Sequence, residues 1–230
     1  MNFISHYYFD RHVADNLFAV GVSSPDLLSI FLRSVRIKDA HVKAMSARTD
    51  LSAEQQSFLK GVIRHFDGDK VFHSSEFFFN ETHLLAVMLR ERFGKFSVPR
   101  SFFVSHIMLE LIIDKVLIQR DPSILGDYYS NFEQHSPSEI AALTEWIADA
   151  PLPNYADFIE KFMERKFLYR YTDWGYVTYV LKRILQRVGV EEMGYLESAD
   201  FLEVMNTYEA HLESMYLPRL AELGERLHGM

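Results

Sequence analysis

The sequence predicts an all-α fold, a single-domain multi-helix bundle spanning residues 1–230. Three observations lead there. Apolar residues recur at helical spacing along most of the chain, while few stretches alternate in the manner of strands. Helix-start signals are frequent, with Ser52-Ala53-Glu54-Gln55 spelling a capping sequence and Ser136-Pro137-Ser138-Glu139 a second start. Hydrophobic residues make up 48% and aromatics 14%, enough for a substantial core, and no internal repeat or low-complexity segment interrupts them.

Residues 1–20 read as one helix with mixed faces, carrying His6, and Gly21 with Ser23-Ser24-Pro25-Asp26 reads as its break. Asp26 then falls in the first turn of the next helix, where a carboxylate suits the helix dipole. Helical pattern continues from Leu27 to Arg48 and is basic, with Arg33, Arg36, Lys38, Lys43 and Arg48 against Asp39. Most such runs are solvated faces, though in an acidic protein a basic patch also suits an anionic substrate or acidic partner. His41, inside it, is a weak ligand candidate. The capped helix from Ser52 runs to His73, Ser74-Ser75-Glu76 loosens its end, and Phe77-Phe78-Phe79 is expected to be buried. A helix over Glu81–Arg92 and a turn over Gly94–Pro99 follow. Residues 100–119 form the most apolar helix of the chain and so a central one. The stretch Tyr155–Val188 reads as long and amphipathic, and residues 195–226 as the last helix.

Two of these helices carry polar lines. His65, Asp69 and His73 stand four residues apart within Gly61–Ser74, and His106, Glu110 and Asp114 repeat the spacing on the apolar helix. A step of four advances about 400° on a helix, so each trio lies on one face. Imidazole and carboxylate at that spacing suit a metal site. Buried carboxylates also need a counter-charge, which an ion or an arginine supplies. Cysteine is absent, so the ligands would be His, Asp and Glu, around one or two divalent ions of zinc, manganese, iron or magnesium. His6 and Asp26 would complete a second site, Asp69 is placed to bridge two ions, and Asp26 or Asp114 is a candidate base. Arg64 and Arg170 are candidate phosphate clamps, with Arg33 and Arg36 weaker ones.

A net charge of −8 argues against general nucleic-acid binding. No run of about 20 apolar residues exists to cross a membrane. The start, MNFISHYYFDRHVAD, lacks the positive region of a signal peptide, which makes a cytoplasmic location the default expectation.

The opening MNFISHYYF, the block Gly61-x-x-x-His65-x-x-x-Asp69, and the segments FLYRYTDWGYV and YEAHLESMYLPRL together resemble the acyl carrier protein phosphodiesterase family. The resemblance spans most of the chain outside residues 75–100 and 120–155. It implies a helical fold related to HD-domain hydrolases, a divalent metal, acyl carrier protein as partner, and hydrolytic release of 4′-phosphopantetheine. The chain differs from that family in having His73 in place of an aspartate and Lys115 in place of a histidine. The pattern His6–Phe9, Pro25-Asp26, His65–Asp69–His73 and His106–Glu110 is also similar to zinc-dependent phospholipase C, a resemblance in which His41 falls near a ligand position. A nucleotide phosphohydrolase and a non-catalytic helical protein with a buried histidine–acid network are the other readings.

Overall fold

The computed structural model describes residues 1–94 and 97–229. They are helical, with no strand among them. In chain order the helices are α1 (Phe3–Asp10), α2 (Asn16–Phe31), α3 (Asp39–Ser46), α4 (Ala53–His73), α5 (Glu76–Phe93), α6 (Ser101–Arg120), α7 (Ser123–Glu133), α8 (Pro137–Ala148), α9 (Tyr155–Arg165), α10 (Trp174–Arg187) and α11 (Ala199–His228). Short 3₁₀ turns cover Phe167–Thr172 and Gly194–Glu197.

The local signals act where the sequence places them. The Ser52 hydroxyl accepts from Gln55 N–H at 3.2 Å while the Gln55 side chain accepts from Ser52 N–H at 3.0 Å, a closed capping box at the start of α4. Ser136 and Glu139 do the same at α8.

Elsewhere the structure corrects the sequence reading. The first break falls at residues 11–15, where Asp15 caps α2 by accepting from Phe18 N–H at 3.0 Å. Helix α2 therefore runs through both Gly21 and Pro25. Gly21 is there for packing: a Cβ on it would lie 2.2 Å from the Phe58 carbonyl oxygen, and one on Gly61 would lie 2.0 Å from that of Phe18. The two glycines let α2 and α4 cross backbone to backbone. Asp26 thus sits inside a helix, and the dipole role expected for it does not hold. The helical run expected over Leu27–Arg48 is interrupted, since Leu32 turns extended and α3 begins only at Asp39. Tyr155–Val188 divides into α9 and α10, because Lys166 takes a left-handed conformation (φ 43°) and Asp173 caps a new start. Of the three phenylalanines, Phe77 and Phe78 are buried but Phe79 is exposed. Within the turn expected over Gly94–Pro99, Lys95 and Phe96 lie outside the described residues.

The chain divides into two compact units, with the division inside α4 between Asp69 and Lys70. The first comprises Met1–Asp69 and Asp121–Leu168. In it α2 packs on α1, α7 and α8, and α9 packs on α7 and α8. Its core is aromatic: the Phe162 ring meets Phe3, Tyr129, Phe132 and Phe167 at centroid separations of 5.2–6.3 Å. Tyr128 ties α7 to α2 by donating to Ser23 Oγ at 3.0 Å.

The second comprises Lys70–Arg120 and the chain from Tyr169 onward. Helix α6 is its axis, flanked by α5, α10 and α11, and every residue from Leu111 to Ile118 is buried. That includes Lys115, whose ammonium is neutralised by Glu209 of α11 while the Trp174 indole donates to the other Glu209 oxygen. A buried charge on so apolar a helix requires such a partner.

Candidate metal centres

In the second unit, His73 ends α4, and α6 offers His106 and Glu110 one turn apart. Their three donor atoms converge. His73 Nε2 lies 3.1 Å from His106 Nε2 and 3.1 Å from Glu110 Oε1, and His106 Nε2 lies 3.0 Å from the same oxygen. Phe78 of α5 sets both imidazoles, its ring edge-on to each at a centroid separation of 4.8 Å. The side chains are part-exposed, at 33% for His73, 26% for His106 and 13% for Glu110, so one side of the cluster faces solvent. The apolar pattern of α6 reads as burying its polar line, yet His106 and Glu110 are only partly covered and it is Asp114, at 0% exposure, that is fully enclosed. Asp114 therefore has no access to a substrate arriving from solvent.

Hydrogen bonding alone cannot satisfy this triangle. The carboxylate brings no proton, so neutral rings leave at least one edge where two lone pairs or two N–H groups face one another. A divalent cation is attracted to all three corners at once. Atoms 3.0–3.1 Å apart also share a point about 2.1 Å from each, the usual reach of zinc to nitrogen and oxygen. Burial pushes the Glu110 carboxyl upward, but positive charge and hydrogen bonds from His106 and His73 together hold the group below the ordinary carboxylate range. The anion is the form a metal needs.

The first unit holds another group. His6 of α1, Asp26 of α2 and His65 of α4 offer donor atoms that all lie within 4.8 Å of one another. Asp69, one turn beyond His65, places Oδ1 3.2 Å from His6 Nε2 and Oδ2 3.5 Å from His65 Nε2, and Oδ1 also accepts from the Met1 amine at 2.7 Å. The His6 and His65 rings stack with centroids 4.0 Å apart. His65 Nδ1 lies 2.9 Å from the Val22 carbonyl oxygen, which can only accept. The proton is therefore on Nδ1, and Nε2 presents its lone pair inward, as a ligating histidine must. Burial first, then the neighbouring His6, drives the His65 pKa well down and keeps the ring neutral. Burial acts against the Asp69 anion, yet His6 and the Met1 amine hold its carboxyl well below the usual range.

The remaining candidates lie elsewhere. His41 on α3 belongs to neither group. Arg64 is engaged by the buried carboxylate of Asp10 at 2.9 Å. Arg170 is exposed in the 3₁₀ turn, its guanidinium 4.1 Å from the centre of the Tyr176 ring. Arg33 and Arg36 are exposed in the segment between α2 and α3. Sequence reasoning missed the Phe78 buttress and the Val22 carbonyl; the second has no sequence signal, because any residue supplies a carbonyl.

Among the described residues the fold is all-helical and carries two histidine–carboxylate groups whose donors could hold a divalent cation. No family model, curated protein or solved structure matches the chain.

Proposed function

We propose that the chain is a metal-dependent phosphodiesterase. The observation that carries this reading is the His73–His106–Glu110 triangle, three donors at 3.0–3.1 Å with one side open to solvent. Catalytic metal sites use three protein ligands and keep a position free, whereas structural sites are closed. His73, His106 and Glu110 would hold the ion there, and His6, Asp26 and His65, with Asp69 beside them, would hold a second. A bound divalent ion supplies an activated water near neutral pH and neutralises charge on phosphoryl oxygens. The protein's part is to keep His65 neutral, hold Glu110 and Asp69 ionised and fix the rings through Phe78 and the Val22 carbonyl.

The phosphodiester class rests on the resemblance to acyl carrier protein phosphodiesterases and to zinc-dependent phospholipase C. Within that class we favour holo acyl carrier protein as substrate, with Arg33 and Arg36 as docking charges, because both are exposed on an acidic chain.

Protein purified without chelators should carry about one or more equivalents of a divalent metal and hydrolyse bis-p-nitrophenyl phosphate, and His106→Ala or Glu110→Gln should lower the rate about a hundredfold. Absence of bound metal together with unchanged activity in both variants would falsify the metal reading. The substrate is tested separately by the mass of holo acyl carrier protein after incubation. Loss of phosphopantetheine supports it, and an intact carrier beside an active small-substrate assay removes it. Arg33→Glu with Arg36→Glu should raise KM for the carrier and leave the small substrate unaffected.

A further inference from the structure

A cavity of about 330 Å³ opens in the second unit between the start of α5 and the last turns of α11. Its apolar wall is Phe77, Met215 and Leu223. The polar lining carries both signs of charge, and most of it is already engaged. Arg219 and Glu222 pair with each other at 3.0 Å. Glu76 is the first residue of α5, where the helix dipole favours a carboxylate.

Two groups are left. Arg226 has no carboxylate within ion-pair range among the described residues; its guanidinium reaches only the Ser74 hydroxyl, at 3.5 Å, and that hydroxyl donates to the Val71 carbonyl. Glu81, at 5% exposure, is buried in the cavity wall. Its Oε2 is satisfied by Tyr208 at 3.1 Å and His211 at 3.0 Å, while no donor among the described residues meets Oε1. That oxygen is not sealed from solvent, so a ligand's donor entering the cavity can reach it. An anion alone would meet three carboxylates in the lining, and a cation alone would meet two guanidinium groups.

We propose that this cavity binds a small zwitterion, its acid group held by Arg226 and Ser74 and its protonated amine by Glu81. The volume lies at the lower end of the range for small-molecule sites. The site uses none of the proposed metal ligands, so it stands whether or not the chain is a metalloenzyme.

Calorimetric titration of the full chain tests it, with β-alanine and phosphoethanolamine as zwitterions, and acetate, inorganic phosphate and ethylamine as probes carrying charge of one sign only. At least one zwitterion should bind about tenfold more tightly than every one-sign probe. The tighter of the two zwitterions identifies the acid group as carboxylate or phosphate. Arg226→Gln and Glu81→Gln should each weaken that zwitterion about tenfold. Equal binding of zwitterions and one-sign probes, no binding of either zwitterion, or an unchanged constant in Arg226→Gln would each overturn the proposal. Glu81 is buried, so its variant is read only if its circular dichroism matches the parent; Arg226 is exposed and decides the matter alone otherwise.

Discussion

His73 and His106 meet Nε2 to Nε2 at 3.1 Å, and both point at the same oxygen of Glu110. Two basic nitrogens this close are an unfavourable pair unless something positive stands between them. A proton between them makes an N–H···N hydrogen bond but leaves one ring's lone pair facing the Glu110 oxygen, whereas a divalent cation serves all three donors.

Ligand binding to the folded state raises stability by mass action. Zinc or cobalt at about a hundred times its dissociation constant should add about 2.7 kcal/mol, which for a chain of this length raises Tm by about 5–10 °C. Scanning calorimetry of metal-free protein with and without the ion measures the shift. His106→Ala should remove the part of the shift that the His73–His106–Glu110 group supplies; a shift undiminished by this substitution would place the ion elsewhere.

Gly61→Ala should be among the most damaging single changes in the first unit. Its Cβ would stand 2.0 Å from the Phe18 carbonyl oxygen and 2.8 Å from the Val22 nitrogen, both backbone atoms that move only with α2. A loss of about 3 kcal/mol or more is expected in urea unfolding. Gly126→Ala is the contrast, an exposed position inside α7 with nothing within 4 Å of a new Cβ. It should gain up to about 1 kcal/mol.

Glu209→Ala strands the Lys115 ammonium, whose residue is 2% exposed, inside the second unit. Denaturant unfolding should show a loss of about 3–5 kcal/mol. Replacing both partners, with Lys115→Met and Glu209→Leu, should recover most of it, because no charge is then left buried. A double variant as unstable as the single one would mean the pair holds α6 and α11 by geometry rather than by charge balance.

Stability should fall above about pH 10, the pKa of an unfolded tyrosine. Burial raises Tyr208 and Tyr155 well beyond that value and Tyr195 to about 12, with the Glu81 carboxylate adding to the effect at Tyr208. In that window the folded chain keeps protons the unfolded chain has lost, so the slope of stability with pH is negative. Of the 12 tyrosines, the buried ones should ionise only as the protein unfolds, giving a late absorbance step at 295 nm that coincides with loss of helical circular dichroism. A single early step would contradict this.

The sequence by itself determined whatever depends on neighbours along one helix. Capping at Ser52 and Ser136, the central place of the apolar helix over 101–120, and the shared faces of His65, Asp69 and His73 and of His106 and Glu110 are all spacings of three or four residues, and helical geometry converts them directly. Tertiary structure decided which helices those faces meet. Nothing local states that His73 would join α6 while His65 and Asp69 join α1 and α2, because both outcomes keep the same line on α4. Nor does local pattern reveal that Gly21 and Pro25 sit inside α2. Glycine and proline weaken an isolated helix, and here packing overrides that cost: Gly21 and Gly61 lie against each other's helix where a side chain would not fit, and the Val22 carbonyl within that run orients His65.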